Sequence, residues 1–442
     1  MKRSNLPSQM MWRTAVTPVE FDHAQYRLAH KTTHNAALAW NWLVDHVRHL
    51  WKTEHRDPSQ KEMRAMLKQA PASITIGLHA HVKQCMIDDL EDAIQTYRSN
   101  RANGDRHARA PYRHHNYRPL DFTKGYGWRL VDSGRTISLS RGLGQENLTV
   151  PVPTITDPQT GRLIPPAEWG TMRLCWDRNH RHWYLHVSVP TGKPANSRME
   201  RIMGVDEGII NPVTCAIETD QAYEILVVNG REARAAKHYA NTRVARLQRI
   251  LSRCENGSRR YRKIEAKLRK AYAIAQTRAY NVAHQTSRKT VDFMREHHAN
   301  RIIAGDVRGI EQRTFQDESK RRRNKKTQRR RLSQWNRGQV ENLIEHKSRL
   351  ETEHVNESYS SQTCPACLTR NHPSGRQYRC HRCGFTCHRD AVGALNILQK
   401  ATYGQYRPLD MIKPIMSHIS EPRRSAGARL WVMPLNRAGG SR

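Results

Sequence analysis

Two Cys-x-x-Cys pairs, Cys364/Cys367 and Cys380/Cys383, stand twelve residues apart late in the chain. A tetrahedral four-thiolate zinc site needs two tight turns brought together by a short hairpin, and this spacing supplies both. Pro365 helps shape the first turn. Gly384 follows the second, where a backbone able to take positive φ is useful. A disulfide pair or unrelated thiols are the rival readings. The other five cysteines, Cys85, Cys175, Cys215, Cys254 and Cys387, are scattered, a pattern that suits a reducing compartment and disfavours disulfides. The four paired cysteines are therefore expected to bind one structural Zn²⁺, with no coordination position left open for catalysis.

Directly after the second pair, His388-Arg389-Asp390 leads into an apolar run from Ala391 to Leu398 that reads as a helix. Asp390 lies near its start, where an acidic residue is by itself ordinary N-terminal capping. With Glu357 in the segment ahead of the first cysteine pair, the stretch 355–398 closely resembles the C-terminal signature of the TnpB family. These are transposon-encoded RNA-guided nucleases related to compact type V CRISPR effectors. The resemblance is close over the C-terminal half and holds in outline over the N-terminal half.

Residues 202–212 begin with an apolar strand that carries Asp206, followed by Gly208. An acidic group inside an apolar strand is costly unless it is paired or binds metal. A strand-end aspartate in a turn is the alternative, which the Gly-Val-Asp-x-Gly-x-x-Asn pattern disfavours. The resemblance implies that Asp206 is the first metal-binding aspartate of an RNase H-like (RuvC) domain. It also exposes a departure. Many relatives carry Glu-Asp at the end of the strand that here spans 301–310, whereas this chain has Gly305-Asp306. By the resemblance, the missing carboxylate comes from Glu357 on the adjacent strand, with Asp306 in a supporting place. Glu311, Glu341 and Glu345 are rival donors, the last two four residues apart on a predicted helix and expected in outer positions. The implied catalytic set is Asp206, Glu357 and Asp390, holding Mg²⁺ as a pair of ions for in-line hydrolysis of DNA.

The N-terminal half divides by periodicity. Residues 9–22 read as one or two short strands broken at Pro18, and amphipathic helical stripes follow over 35–51, from 59 onward and over 78–97. Residues 101–119 are rich in Arg and His with interleaved tyrosines, either a solvated loop or a surface for a nucleic-acid backbone with exposed bases. Strands recur from 126 to 190, and a Pro- and Gly-containing linker closes at 197. The resemblance implies a multidomain α/β chain. A β-barrel wedge domain (1–23 and 118–195) would be interrupted by a helical recognition insert (24–117). A RuvC-like nuclease domain (198–362 and 384–400) would follow, with the zinc ribbon (363–383) inserted. Residues 401–442 are expected to be a poorly ordered basic tail.

Charge identifies the partner class. The 442 residues carry 75 Lys and Arg against 40 Asp and Glu, a formal net charge of +35. Such an excess implies a polyanion, because Lys and Arg bound to phosphates release condensed counterions. A packaging protein would share the charge, but such chains are usually shorter and need neither ten tryptophans nor a zinc ribbon. Residues 232–298 read as basic helix with a break at 255–258. The run at 319–331 concentrates Arg321, Arg322, Arg323, Lys325, Lys326, Arg329, Arg330 and Arg331. It is expected to bind nucleic acid, and it would equally pass for a nuclear-localisation patch. The implied partners are a guide RNA and target double-stranded DNA, with no membrane and a monomer favoured. No stretch has the layout of a signal peptide, so a soluble, cytoplasmic, nucleoid-associated protein is expected. Three alternatives remain. One is a guided DNA-binding protein that does not cut, the second a compact type V CRISPR effector. A DDE-type transposase fits the motif order and the ribbon less well.

Overall fold

The computed structural model describes residues 10–105, 108–158, 160–192, 201–307, 337–373, 375–420 and 422. The chain divides into two compact units at Gly192/Lys193.

In the first unit, β1 (Met10–Val19) is followed by four helices: α1 (His23–Thr53), α2 (Gln60–Gln69), α3 (Ala72–Thr75) and α4 (Ala80–Ala102). Six strands complete it: β2 (Leu120–Phe122), β3 (Trp128–Val131), β4 (Thr136–Leu139), β5 (Leu148–Pro151), β6 (Met172–Asp177) and β7 (His182–Gly192). They form two antiparallel sheets, ordered β1-β7-β6-β2 and β3-β4-β5, whose buried residues share one core with the helices. Pro18 does not break β1. It pairs with Tyr184 on a strand at the sheet edge, where the missing N–H need serve no second neighbour. Helix α1 begins at His23, twelve residues before the periodic stripe, because the Asp22 carboxylate accepts from Gln25 N and caps the first turn. A Ser59/Glu62 capping box starts α2.

The Arg/His-rich segment is fastened along α1, with Tyr112, Arg113, His115 and Asn116 still exposed. Trp40 Nε1 donates to Tyr112 O at 2.8 Å, Asn41 exchanges two bonds with the His114 backbone, and Arg118 N donates to Thr33 O. The Arg118 guanidinium is buried 4.7 Å above the Trp40 ring.

The second unit is built on one six-stranded sheet. Its strands are β8 (Ile202–Asp206), β9 (Val213–Glu218), β10 (Tyr223–Val228), β11 (Arg301–Gly305), β12 (Thr352–Val355) and, after the two-stranded hairpin of β13 (Gln377–Arg379) and β14 (Thr386–His388), β15 (Ile415–Ser420). The order is β12-β11-β8-β9-β10-β15. β8, β9 and β10 form an antiparallel meander, β11 and β12 run parallel to β8, and β15 runs parallel to β10. The helices are α5 (Arg231–Tyr239), α6 (Ala245–Leu251), α7 (Arg259–Glu296), α8 (Arg337–Ser348) and α9 (Arg389–Tyr403). Side chains of α7 and α8, including Phe293, Met294, Val340 and Ile344, cover one sheet face over Met203, Val205 and Ile302. α9 covers the other through Ala394, Leu395 and Leu398 against Ala216, Ile225 and Val227. Gly204 permits that approach, since a Cβ there would lie 2.7 Å from Leu398 N and 2.8 Å from Ala394 O.

The tail departs from expectation. Residues 415–420 complete the sheet, because β10 would otherwise present an unpaired edge and Ile415 packs with the α9-side core. Among the described residues, no helix is long and apolar enough to cross a membrane.

Candidate active site and metal centre

Strand β8 ends at Asp206, whose half-buried side chain lies against α9. A Cβ on Gly393 would lie 2.8 Å from Asp206 Oδ2, so the glycine makes room for the acid. On the neighbouring strand, the Ala304–Val205 pairing brings Gly305 beside Asp206. A Cβ on Gly305 would meet Glu357 Oε2 at 2.6 Å and Glu357 Cβ at 2.9 Å. The side chain of Glu357 thus fills the volume that residue 305 leaves vacant. Its segment is tied to α9, where buried Asn396 donates to the Ser360 and Thr363 carbonyls at 2.7 and 2.8 Å and Lys400 Nζ to Asn356 O. Asp390 sits in the first turn of α9 and accepts from Asn211 Nδ2 at 2.8 Å and from Arg376 Nη1 at 3.0 Å.

Three carboxylates from separate segments therefore meet at one end of β8. Burial, and then the charges of Asp390 and Glu357, push the Asp206 pKa well above the ordinary carboxylate value. Arg389 and Arg376 are the cations that oppose this shift, two guanidiniums against three acids.

The rival glutamates are engaged elsewhere. Glu341 Oε1 lies 2.9 Å from His354 Nε2, and Glu345 accepts from Thr352 N at 2.8 Å, fixing the start of β12. Asp306 N bonds Val355 O, continuing the β11–β12 register one residue past Gly305. Glu311 and the cationic run at 319–331 lie outside the described residues.

Glu207 lies outside the set expected from the sequence. It follows Asp206 directly and so faces the opposite side of the sheet end. Burial and the nearby Glu341 raise its pKa to about 8, and its Oε2 stands 3.8 Å from Arg337 Nε. The signal was available, since alternation inside an apolar strand sends the next acidic residue into the other layer. Asn211 belongs to the quoted pattern around Asp206, whereas nothing local marked Arg376.

The ligand atoms of Cys364, Cys367, Cys380 and Cys383 all lie within 4.8 Å of one another. The Cys364–Cys383 and Cys367–Cys380 sulfurs are each 3.6 Å apart, close to the edge of about 3.8 Å of a tetrahedron with metal–sulfur bonds of about 2.3 Å. Leu368 (φ 61°) and Gly384 (φ 75°) close the two turns in the left-handed region, their N–H groups donating to Cys364 O and Cys380 O. The four cysteines could therefore hold a metal ion as the spacing predicts.

Comparison with known proteins bears on both features. Residues 184–311 match the family described as a probable transposase, and residues 338–397 match the TNB domain of Cas12f1-like proteins. A TnpB-like protein of Methanocaldococcus jannaschii is 27% identical over 225 residues, covering 49% of this chain and 74% of that protein. The fold is similar to that of Cas12f1 in a complex with single-guide RNA and target DNA. The TM-score is 0.51 at 12% identity over 86% of this chain and 83% of that one. It is also similar to the mini-RNA-guided endonuclease CRISPR-Cas_phi3, with a TM-score of 0.51 at 9% identity over 91% and 94% of the two chains. At such identities the likeness speaks for the fold alone.

Proposed function

We propose that this chain is a member of the TnpB family and an RNA-guided DNA endonuclease associated with a transposable element. The observation that carries the reading is the exchange at Gly305. A chain that had merely lost its strand-end acid would have no reason to fill the vacated volume with another carboxylate, and Glu357 fills it. The 3-2-1-4-5 arrangement of β10-β9-β8-β11-β12 supports an RNase H-like nuclease domain. The two sheets and helices of the first unit support a wedge domain with a helical recognition insert. The ribbon's four thiolates suit one structural Zn²⁺.

Asp206, Glu357 and Asp390 would hold Mg²⁺, for which hard carboxylate oxygens are the fitting donors. Bound there, it supplies charge neutralisation and activation of water for in-line attack on a phosphodiester. The chain's own residues do the placing. Asp206 is fixed by strand and helix, Asn211 orients the Asp390 carboxylate, and the Asn396 bonds hold the Glu357 segment against α9. Arg376, on the ribbon side, lies where an incoming phosphate would compete with Asp390 for its guanidinium.

Glu357→Gln keeps size and hydrogen bonding and removes the charge. It should lower Mg²⁺-dependent cleavage of guide-matched DNA by at least about 100-fold, in the range of losing one transition-state charge contact, with DNA binding nearly unchanged. Asp206→Asn and Asp390→Asn should behave alike. Normal cutting by the Glu357 variant would show that the wrong carboxylate has been chosen. A parent that binds guide-matched DNA without ever cutting it would identify a guided binding protein.

A further inference from the structure

A cavity of about 50 Å³ opens between the loop after Asp206 and helices α5, α7 and α8. Its wall is partly apolar, from Ile209, Pro212, Val282 and Val340, and its polar lining includes Arg234, Lys237 and Arg337. Two atoms on lining residues are buried without a hydrogen-bond partner: Thr286 Oγ1, on a residue with no solvent exposure, and Arg337 Nη1. A buried donor left unpaired costs about 1–3 kcal/mol, a cost that a ligand oxygen reaching these two would relieve. Arg234 lies in the first turn of α5, and Arg337 is the first described residue of α8. Arg231 and Arg376 are the charges that act on Arg234, so like charges gather here.

The cavity is joined to the acids on two sides. Arg337 reaches back to Glu207, next to Asp206, and Arg376, which acts on Arg234, holds Asp390. We propose that this cavity is a subsite for one backbone phosphate of the nucleic-acid strand whose neighbouring linkage lies at the acid cluster. Thr286 Oγ1 and the Arg337 guanidinium donate to its oxygens, Arg234 and Lys237 neutralise it, and the apolar wall receives the adjoining sugar. The subsite rests on the nuclease reading for its neighbour but not for its ligand, because a guided protein that never cuts would still grip a phosphate here.

The test uses the full chain with its co-purifying RNA and a target duplex in which single phosphates are replaced in turn by uncharged methylphosphonates. The RNA strand is scanned in the same way after reconstitution. Arg234→Gln/Lys237→Gln should raise the KM for cleavage severalfold with kcat little changed and reduce the slope of log affinity against log salt by about 1. One methylphosphonate position should reproduce that loss in the parent and add nothing in the double variant. Its strand tells whether target DNA or RNA occupies the subsite. Thr286→Val, which keeps the volume and removes the hydroxyl, should weaken binding without changing the salt slope. If the parent proves not to cut, affinity and salt slope carry the same test. Losses that add fully at every position, or an unchanged salt slope in a folded double variant, would overturn the proposal.

Discussion

At the scale of single residues, the site is organised by what glycines leave out. Gly393 gives Asp206 its room and Gly305 gives Glu357 its own, so adding one methyl group at either should act on the acids rather than on the fold at large. Gly305→Ala would place Cβ 2.6 Å from Glu357 Oε2 and 3.0 Å from Ile397 Cδ1. It should cut cleavage by about tenfold or more at a stability cost of about 1–3 kcal/mol, the range for overpacking, measured by turnover beside urea unfolding. Asp206 and Asp390 were legible from their motifs, and Glu357 from the resemblance once the Gly-Asp departure was noticed. Glu207 and Arg376 were not, because their partners come from distant segments. Two histidines of the first unit, His186 buried and His114 half-buried, carry a further consequence. His114 and His186 are each held at a pKa of about 4, mainly by burial, with Arg118 and Arg173 beside them. Between pH 6.5 and 4 the unfolded chain binds protons that the folded chain refuses, so stability is lost as pH falls through that window. The loss should approach roughly 3 kcal/mol per histidine. His186→Leu should flatten the dependence of the urea midpoint on pH between 7 and 4.5, and an unchanged profile would assign it to other groups.

At the scale of elements, short-range signals were read well and long-range pairings were not. The four-cysteine ribbon is local in sequence, and its two turns close as the spacing implies. Strand β15 carries no such mark. Its residues 415–420 make a parallel pairing with β10, almost two hundred residues away, and only the sheet edge they cover explains their order. The tethering of the Arg/His-rich segment was hidden for a similar reason, since Trp40, Asn41 and Thr33 on α1 supply the partners that hold it. The ribbon's link to the site runs through Arg376, which precedes β13 and grips Asp390. One zinc per chain is expected by elemental analysis, and a disulfide among the four cysteines would contradict it. Chelation, or Cys380→Ser, should loosen the ribbon and reduce cleavage while leaving the main sheet intact, because α9 is anchored to that sheet by Leu395 and Leu398 rather than by the metal. Near-native circular dichroism with lost turnover would bear this out. Global unfolding on chelation would show that the ribbon supports the whole second unit.

At the scale of the whole molecule, the charge is the quantity that folding alone does not explain. A net charge of +35 on 442 residues opposes compaction by self-repulsion and is offset only when phosphates are present. Among the described residues, the exposed faces of α6 and α7 hold rows of Arg and Lys. A guided nuclease would use most of that charge to hold an RNA permanently and the remainder to hold DNA transiently. Three results should then occur together. Protein purified at moderate salt should carry one defined RNA species. Removing it should lower the thermal midpoint, because a ligand bound only to the folded state stabilises it by mass action. DNA cleavage should follow base pairing with that RNA, with protein side chains reading only a short flanking motif. The third result decides the matter. A non-specific basic nuclease would satisfy the first two by adventitious binding, yet its cleavage would not move when the guide sequence is changed. If RNase-treated protein cuts DNA with the same sequence preference as the complex, the charge serves substrate binding alone and the guided reading is wrong.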